Sequence, residues 1–288
     1  MLRLAVTTAA ETFERMREPL ADRGIAVEHL QASERAVDLT EQPARDLDVG
    51  FVYPSRLMEG GVVDGRRGIP WVNGRDAVAT SRNKAGVIAA LAGADVPVPE
   101  TKLVSNPVDE AEVLAAAADL DFPVVVKPNS TTRGVGVAKA PDLDSLLGIV
   151  DYLNLVHDYR ATGDKSYLLQ EFLPDARDYR VMVLDGEVVG GVERRLPPDA
   201  RDDGRWKHNV HRGASARRID VSGELRDLAV ETAAVLGIDY LGVDVLVADG
   251  RAVVSETNAR PTIDDAKYEA GFWDRLADVI ERTAENGG

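Results

Sequence analysis

Leu241 to Pro261 reads LGVDVLVADGRAVVSETNARP. Two apolar, β-branched runs meet at Asp249-Gly250, a dipeptide that favours a tight two-residue hairpin turn. A turn centred there pairs residues whose numbers sum to about 499 or 500, which sets Asp244 opposite Val254–Glu256. Side chains two apart on a strand share a face, so Glu256 and Asn258 point the same way. Three oxygen donors thereby converge. Hard oxygen donors on a rigid strand pair, with positions left open for a phosphate, are what Mg2+ requires. A solvated hairpin face is the alternative, but apolar residues surround Asp244 and Glu256, where an unpaired charge is costly.

Working outward, a second hairpin turns at Asp185-Gly186 between RVMVL and EVVGGVERR, after the buried-looking strand YLLQEFL. Further upstream the apolar strand FPVVVKP ends at Lys127 and runs into Ser130, Thr131, Thr132, Arg133, Gly134, Val135 and Gly136. Such a loop can fold backbone N–H groups onto phosphate, with hydroxyls as extra donors and a lysine as a fixed charge. It matches neither a Walker loop nor a dinucleotide fingerprint, and taken alone GxG beside a Lys is more often a hairpin turn than a nucleotide site. A third cluster is basic: Arg180, Arg194, Arg195, Lys207, His208, His211 and Arg212. Arginine suits a bidentate grip on carboxylate or phosphate, although Arg201 and Arg205 read as counter-ions in an exposed loop. For Arg194 and Arg212 both readings stay open.

Helical patterns cover Thr12–Arg23, a stretch from Ser81 stopping near Gly93, Val108–Asp119, Leu143–Leu155, Ser222–Leu236 and Tyr268–Thr283. The first eighty residues alternate β-like runs (LRLAV, IAVEHL, DVGFVYP, PWVN) with helical or turn-rich segments, the pattern of a small parallel α/β domain. From Ser81 the pattern becomes α+β, which places a boundary near residue 80 and three units at 1–80, 81–168 and 169–288.

The chain's 288 residues exceed the usual domain size of about 100–200 and suffice for more than one core. It has no cysteine, which excludes disulfide scaffolds, thiolate metal sites and cysteine nucleophiles; four histidines leave little for a histidine metal cage. No run approaches about 18 apolar residues, so the expectation is a cytoplasmic, unprocessed protein. The net charge of −15 disfavours DNA or other polyanionic partners outside a local basic patch. With 27 Arg against 7 Lys and 30 Asp against 19 Glu, the surface reads as that of a halophile's protein. An acidic enzyme from a GC-rich genome is the other explanation.

Taken in order, SRNKAGVIAALAGADVPVPET, FPVVVKPNSTTRGVGV, LLQEFLPDARDYRVMVLDGEVVGGVERR, WKHNVHRGA and LGVDVLVADGRAVVSETNARP resemble the ATP-grasp superfamily, and more narrowly its RimK-like amino-acid ligases, from about Ser81 to the C-terminus. The resemblance implies a small α/β domain followed by a two-lobed ATP-grasp fold, with ATP and two Mg2+ ions as cofactors and Mn2+ as a substitute. Lys84 and Lys127 resemble the lysines that reach the nucleotide phosphates, and Gly134, Val135, Gly136 and Val137 the lid. Gln170, Glu171, Phe172 and Leu173 match the hinge strand, where backbone groups of Glu171 and Leu173 would read the adenine edge. Asp178 resembles a polar residue after the hinge, and Arg180 one facing the reacting phosphate. Lys207, His208 and Asn209 match a nucleotide-contacting stretch, and Arg212 a residue that stabilises an acyl phosphate. Asp244, Glu256 and Asn258 match the magnesium ligands.

The implied reaction is amide formation through an acylphosphate: L-glutamate joined to a carboxylate acceptor such as a peptide, protein tail or coenzyme. The implied assembly is a homo-oligomer, dimer or tetramer. A non-catalytic nucleotide-binding module on the same fold is the alternative, and a kinase that stops at phosphorylation a third. The chain departs from the family pattern after the metal ligands, where Ala259 is followed by Arg260, Pro261 and Thr262 in place of a small residue, Pro and Gly. Arg260 either grips a substrate carboxylate or faces solvent. Position 83 is Asn where many relatives carry Asp, a change expected to affect helix capping alone.

Overall fold

Three sheets arise from three kinds of patterning in the chain. The computed structural model describes residues 1–287 except 8–9, 42–45, 132–133, 158–163, 209, 211–212 and 222. Short apolar runs near the N-terminus, separated by helices, form β1 (Leu2–Val6), β2 (Ile25–His29), β3 (Val49–Val52) and β4 (Trp71–Asn73), a parallel sheet in the order β2-β1-β3-β4. Between the strands run α1 (Ala10–Ala21) and α2 (Leu57–Arg67), and α3 (Arg75–Arg82) follows β4. The sequence suggested only a turn-rich segment between DVGFVYP and PWVN, where the fold places α2. In the fold Gly60 lets α2 lie against the Tyr53 ring, 2.3 Å from where a Cβ would stand. Arg66 and Arg67 lie in the last turn of α2, and Gly68 closes it in the left-handed conformation.

The helix expected to start at Ser81 is in fact two helices. α3 ends at Arg82 and α4 spans Lys84–Gly93, with Asn83 between them accepting a hydrogen bond from the Gly86 N–H at 3.1 Å. This is N-capping, the local effect expected of Asn at this position. Next come β5 (Thr101–Ser105), α5 (Glu110–Ala117), β6 (Val124–Pro128), β7 (Ala138–Ala140), α6 (Leu143–His157) and β8 (Ser166–Glu171). Their strands form an antiparallel sheet, β5-β8-β6-β7, packed on α5 and α6 through Val113, Val124, Val126, Leu146 and Leu169.

The third sheet is built from the two Asp-Gly hairpins. β9 (Arg177–Leu184) and β10 (Glu187–Arg195) turn at Asp185 and Gly186, with φ of 53° and 73°; β12 (Tyr240–Ala248) and β13 (Arg251–Asn258) turn at Asp249 and Gly250, with φ of 50° and 75°. Positive φ at both central residues is what this turn demands. The five-stranded antiparallel order is β11-β10-β9-β12-β13, with β11 at Ser215–Arg218, after the short helix α7 (Pro198–Asp202). Asp244 pairs with Glu256 and Val245 with Val254, so Ser255 is the extra residue of a bulge that bridges the two expected register sums.

One face of this sheet packs on α4 and α8 (Glu224–Leu236) through Tyr179, Val181, Val183, Val243 and Val245. On the other face β9 carries Asp178, Arg180, Met182 and Leu184: polar at one end, apolar at the other. Met182 and Leu184 join the core of the N-terminal sheet, which is completed by α9 (Phe272–Asn286) through Phe272, Leu276, Val279 and Ile280. α9 begins four residues later than the expected Tyr268. That residue is held extended against Gly190, and its hydroxyl meets that of Tyr240 at 2.6 Å. No helix among the described residues is long and apolar enough to cross a membrane.

Candidate active site

The polar end of the large sheet forms one wall of a cleft of about 1780 Å³, and the β5–β8 sheet forms the other. Strand register fixes the first wall. Arg180 on β9 is the cross-strand partner of Asp244 on β12, which is in turn the partner of Glu256 on β13. Arg194 on β10 is the partner of Asp178 on β9. These two adjacent rows place four of the expected site residues, and Arg194, on one surface.

The rows are tied by ion pairs. Arg180 grips Asp244 in bidentate fashion, Nε to Oδ1 at 2.6 Å and Nη2 to Oδ2 at 2.7 Å. Arg194 donates from Nε to Asp178 at 2.9 Å and reaches Asp244 Oδ2 at 3.1 Å. Burial alone would push both carboxyls up. At Asp244 the two guanidiniums overcome it and the pKa is lowered. At Asp178 burial prevails over Arg194, with the Asp244 charge adding to it, and the pKa rises to about 6. His208 Nδ1 lies 3.6 Å from the second Asp178 oxygen.

Lys84, Lys127 and Lys207 face these rows. Lys84, at the start of α4, is 93% buried (7% exposed); its Nζ donates to the carbonyls of Asn129, at 3.2 Å, and Thr131, and stands 3.5 Å from Glu256. Lys127, the last residue but one of β6, donates to Gln170 Oε1, while Gln170 Nε2 donates to Thr101 at 2.9 Å. Burial lowers the Lys127 pKa, the Glu256 charge opposes that, and neighbouring Lys84 adds to it. Lys207 donates to the Val137 carbonyl, joining the segment after β11's neighbour α7 to the loop before β7. In that loop Gly134 and Gly136 have φ of 64° and 74°, and a Cβ on Gly136 would stand 2.8 Å from the Pro128 ring. Only glycine fits there.

At the hinge the Glu171 N–H is taken by the Glu100 carbonyl at 2.9 Å, which removes that donor from any ligand role. The Glu171 carboxylate meets Arg251 at 2.9 Å, an ion pair that links the two sheets. Phe172 meets Trp206 edge-on at 5.7 Å, and Lys139 Nζ lies 4.5 Å from the Phe172 ring centre. Leu173 and Val135 also line the cleft. Asn209 and Arg212 lie outside the described residues, as do Thr132, Arg133 and His211.

The sequence reading missed several parts of the site. Asn129 accepts from the Ala85 N–H at 2.9 Å and donates to Asn83 at 3.0 Å, docking α4 on the end of β6. Ser81 accepts from the Ala259 N–H at 2.9 Å. Lys139, two residues past the quoted FPVVVKPNSTTRGVGV, and Trp206, the first residue of WKHNVHRGA, were not singled out.

No group of three or more His, Cys, Asp or Glu side chains suited to a metal is present among the described residues. The candidate donor set is two carboxylates and the Asn258 amide, all lining the cleft. Asn258 Oδ1 accepts one bond, from the Arg260 N–H at 2.9 Å; Asp244 Oδ2 is taken by Arg180 and Arg194, while Asp244 Oδ1, with one donor at 2.6 Å, and the Glu256 carboxylate keep lone pairs. The set fits a hard divalent cation with open positions.

Two antiparallel lobes around a basic cleft, behind a parallel α/β unit, constitute the ATP-grasp architecture. The fold matches D-cycloserine synthetase across 100% of both chains (TM-score 0.73, 18% identity). It matches D-alanine–D-alanine ligase from Bacillus anthracis complexed with ATP across 99% of this chain and 98% of that one (TM-score 0.68, 19% identity). The RimK-like ATP-grasp domain matches residues 81–275, and the chain belongs to that family. Among curated relatives, a "Probable alpha-L-glutamate ligase" of Enterobacter sp. (strain 638) is 30% identical over 215 residues, 73% of this chain and 67% of the relative. The "Ribosomal protein bS6--L-glutamate ligase" of Escherichia coli O139:H28 is 28% identical over 198 residues, 68% of this chain and 61% of that protein.

Proposed function

We propose that the protein is an ATP-dependent carboxylate–amine ligase that forms an amide through an acylphosphate, adding L-glutamate to a carboxylate acceptor. The observation that carries this reading is the cross-strand row Arg180–Asp244–Glu256 facing Lys84 and Lys127 across one cleft. In the proposed reaction a substrate carboxylate oxygen attacks the γ-phosphorus of ATP, and the bond to the bridging oxygen breaks to release ADP. An amine then attacks the acyl carbon, and inorganic phosphate leaves. No enzyme nucleophile takes part, in keeping with a chain without cysteine.

Catalysis of this kind is positioning plus electrostatic stabilisation. Lys84 and Lys127 would hold the phosphates, and the low Lys84 exposure keeps its ammonium on fixed carbonyls. Arg180 and Arg194 would offset charge that gathers on the transferring phosphoryl. Magnesium held by Asp244, Glu256 and Asn258 would supply further positive charge there. The loop bearing Gly134 and Gly136 would keep water from the acylphosphate.

The test is ADP release with Mg-ATP, measured without addition, with L-glutamate, and with L-glutamate plus a panel of peptide and coenzyme carboxylates, followed by mass spectrometry. The reading requires acceptor-dependent ADP and a product heavier by one glutamyl residue. ADP released without any amide product would instead favour a kinase. Glu256→Gln should abolish ADP formation with the fold intact, and wild-type turnover in that variant removes Glu256 from the metal site. Lys127→Ala should weaken ATP binding about tenfold or more; unchanged affinity removes it from the phosphate site.

A further inference from the structure

The face of the large sheet turned away from the cleft carries a second, smaller cavity of about 520 Å³ at its β11 end. Strand register builds it. Tyr179 on β9, Glu193 on β10 and Arg217 on β11 are cross-strand partners in one row, and such partners share a face. Side chains alternate along a strand, so Arg177, two before Tyr179, and Arg195, two after Glu193, point the same way. Asp178, Arg180 and Arg194, in between, line the cleft instead. All four residues of β11 are exposed, and no strand pairs with its outer edge among the described residues.

Glu193 organises this cavity. It is only 3% exposed, and both of its oxygens are taken: Oε1 by Arg177 Nε at 3.0 Å and Oε2 by Arg195 Nη2 at 2.5 Å. Burial works to raise its pKa, but the Arg195 and Arg177 guanidiniums prevail and lower it, so the carboxyl is charged. The Arg177 guanidinium also lies 5.2 Å from the centre of the Tyr179 ring. One buried carboxylate thus fixes two guanidiniums, each by part of its fork, and the remaining N–H groups of both half-exposed side chains face solvent. Arg217 and Arg218 make no side-chain hydrogen bond or ion pair among the described residues. Four arginines therefore meet two carboxylates in the cavity lining, Glu193 and Asp220, in a chain whose net charge is −15. Neighbouring strands stand about 4.8 Å apart, so guanidiniums on β9, β10 and β11 are spread wider than one carboxylate can bridge. Arginines on an edge strand discourage pairing with another chain. That role calls for neither a cavity nor a buried carboxylate that orders two of them.

We propose that this cavity is a second anion site, separate from the cleft, for a small oxyanion that bears several charges a few ångströms apart, whether a phosphate chain or a polycarboxylate. Arg177, Arg195 and Arg217 share its oxygens, since a guanidinium fork meets phosphate and carboxylate alike. The site does not depend on the ligase reading. It nevertheless backs the cleft wall: Arg177 adjoins Asp178 and Arg195 adjoins Arg194 in the chain, and Arg194 and Asp178 are paired on the other face.

Calorimetric titration of the full chain in magnesium-free buffer with tripolyphosphate, citrate and acetate tests the site. Tripolyphosphate or citrate should bind one to one, and acetate at least about tenfold more weakly. A tighter tripolyphosphate complex identifies the phosphate source, and a tighter citrate complex the carboxylate source. In Arg217→Gln that binding should weaken about tenfold or more. Lys127→Ala should leave it unchanged, and Arg217→Gln should bind ADP as the wild type does. Circular dichroism checks the fold of Arg217→Gln, and Arg218→Gln, at an equally exposed position, decides if that variant does not fold. No binding of either polyanion, acetate bound as tightly, or an affinity untouched by the arginine variant overturns the proposal. So does binding that is lost in Lys127→Ala, because it then belongs to the cleft.

Discussion

Asn73 shows how much one buried side chain can hold. It is fully enclosed, donates to the Tyr240 carbonyl at 2.6 Å and the Ala259 carbonyl at 2.7 Å, and accepts from the Tyr240 N–H at 3.3 Å. Leucine there would strand three backbone groups, each costing about 1–3 kcal/mol. Asn73→Leu should therefore lower the unfolding free energy by more than about 3 kcal/mol, measured by denaturant titration. Asp178 carries a pH signature. Its folded pKa of about 6 lies above its ordinary value, so between roughly pH 4 and 6 the native state binds a proton that the unfolded chain does not. Its contribution to stability is thus full below the unfolded pKa and lost as pH rises through 6. Wild type should gain stability relative to Asp178→Asn as pH falls from 7 to 4; a difference that is flat with pH would refute the raised value. At this scale the residue types were legible in sequence but their pairings were not. Arg180 was expected to face a phosphate, and it grips Asp244. Arg194 could be placed beside Asp178 only once the register shift between Val188 and Gly190 was known.

Elements were legible where local chemistry decides them. Both Asp-Gly turns and the convergence of Asp244 with Glu256 followed from two-residue hairpin geometry, and the bulge at Ser255 joins the two register sums already in hand. α2 was missed because its glycines weaken the local helical signal, and only Gly60 has a tertiary reason, the Tyr53 ring packed against it; the break at Asn83 was missed because a helical period runs on across a cap. Gly190 is another residue whose reason lies elsewhere in the chain. A Cβ there would stand 2.1 Å from the Lys267 carbonyl oxygen and 2.9 Å from the Tyr268 Cα, both backbone. Gly190→Ala should cost about 1–3 kcal/mol or more by forcing β10 and the 265–268 segment apart. A thermal melt checks it, and an unchanged midpoint would mean that the segment can yield.

Across the whole molecule, the C-terminal helix completes the N-terminal sheet. Amphipathic spacing announced that α9 has an apolar face, but no local pattern says what covers that face. Ile280, fully buried, packs in the same core as Val49, Phe51 and Val72. Ile280→Ala should cost about 2–5 kcal/mol, and hydrogen exchange should show the loss in β3 and β4, far away in sequence. Charge is distributed on the same scale: the chain carries −15 overall, yet Lys84, Lys127, Arg180, Arg194 and Lys207 line one cleft. An incoming polyanion such as ATP meets a repulsive field at long range and an attractive one only at the mouth. Screening acts over about 10 Å at 0.1 M salt and erases the far field first. Added salt should therefore quicken the encounter while it loosens the hold, so that arrival and departure both speed up as the buffer becomes more concentrated.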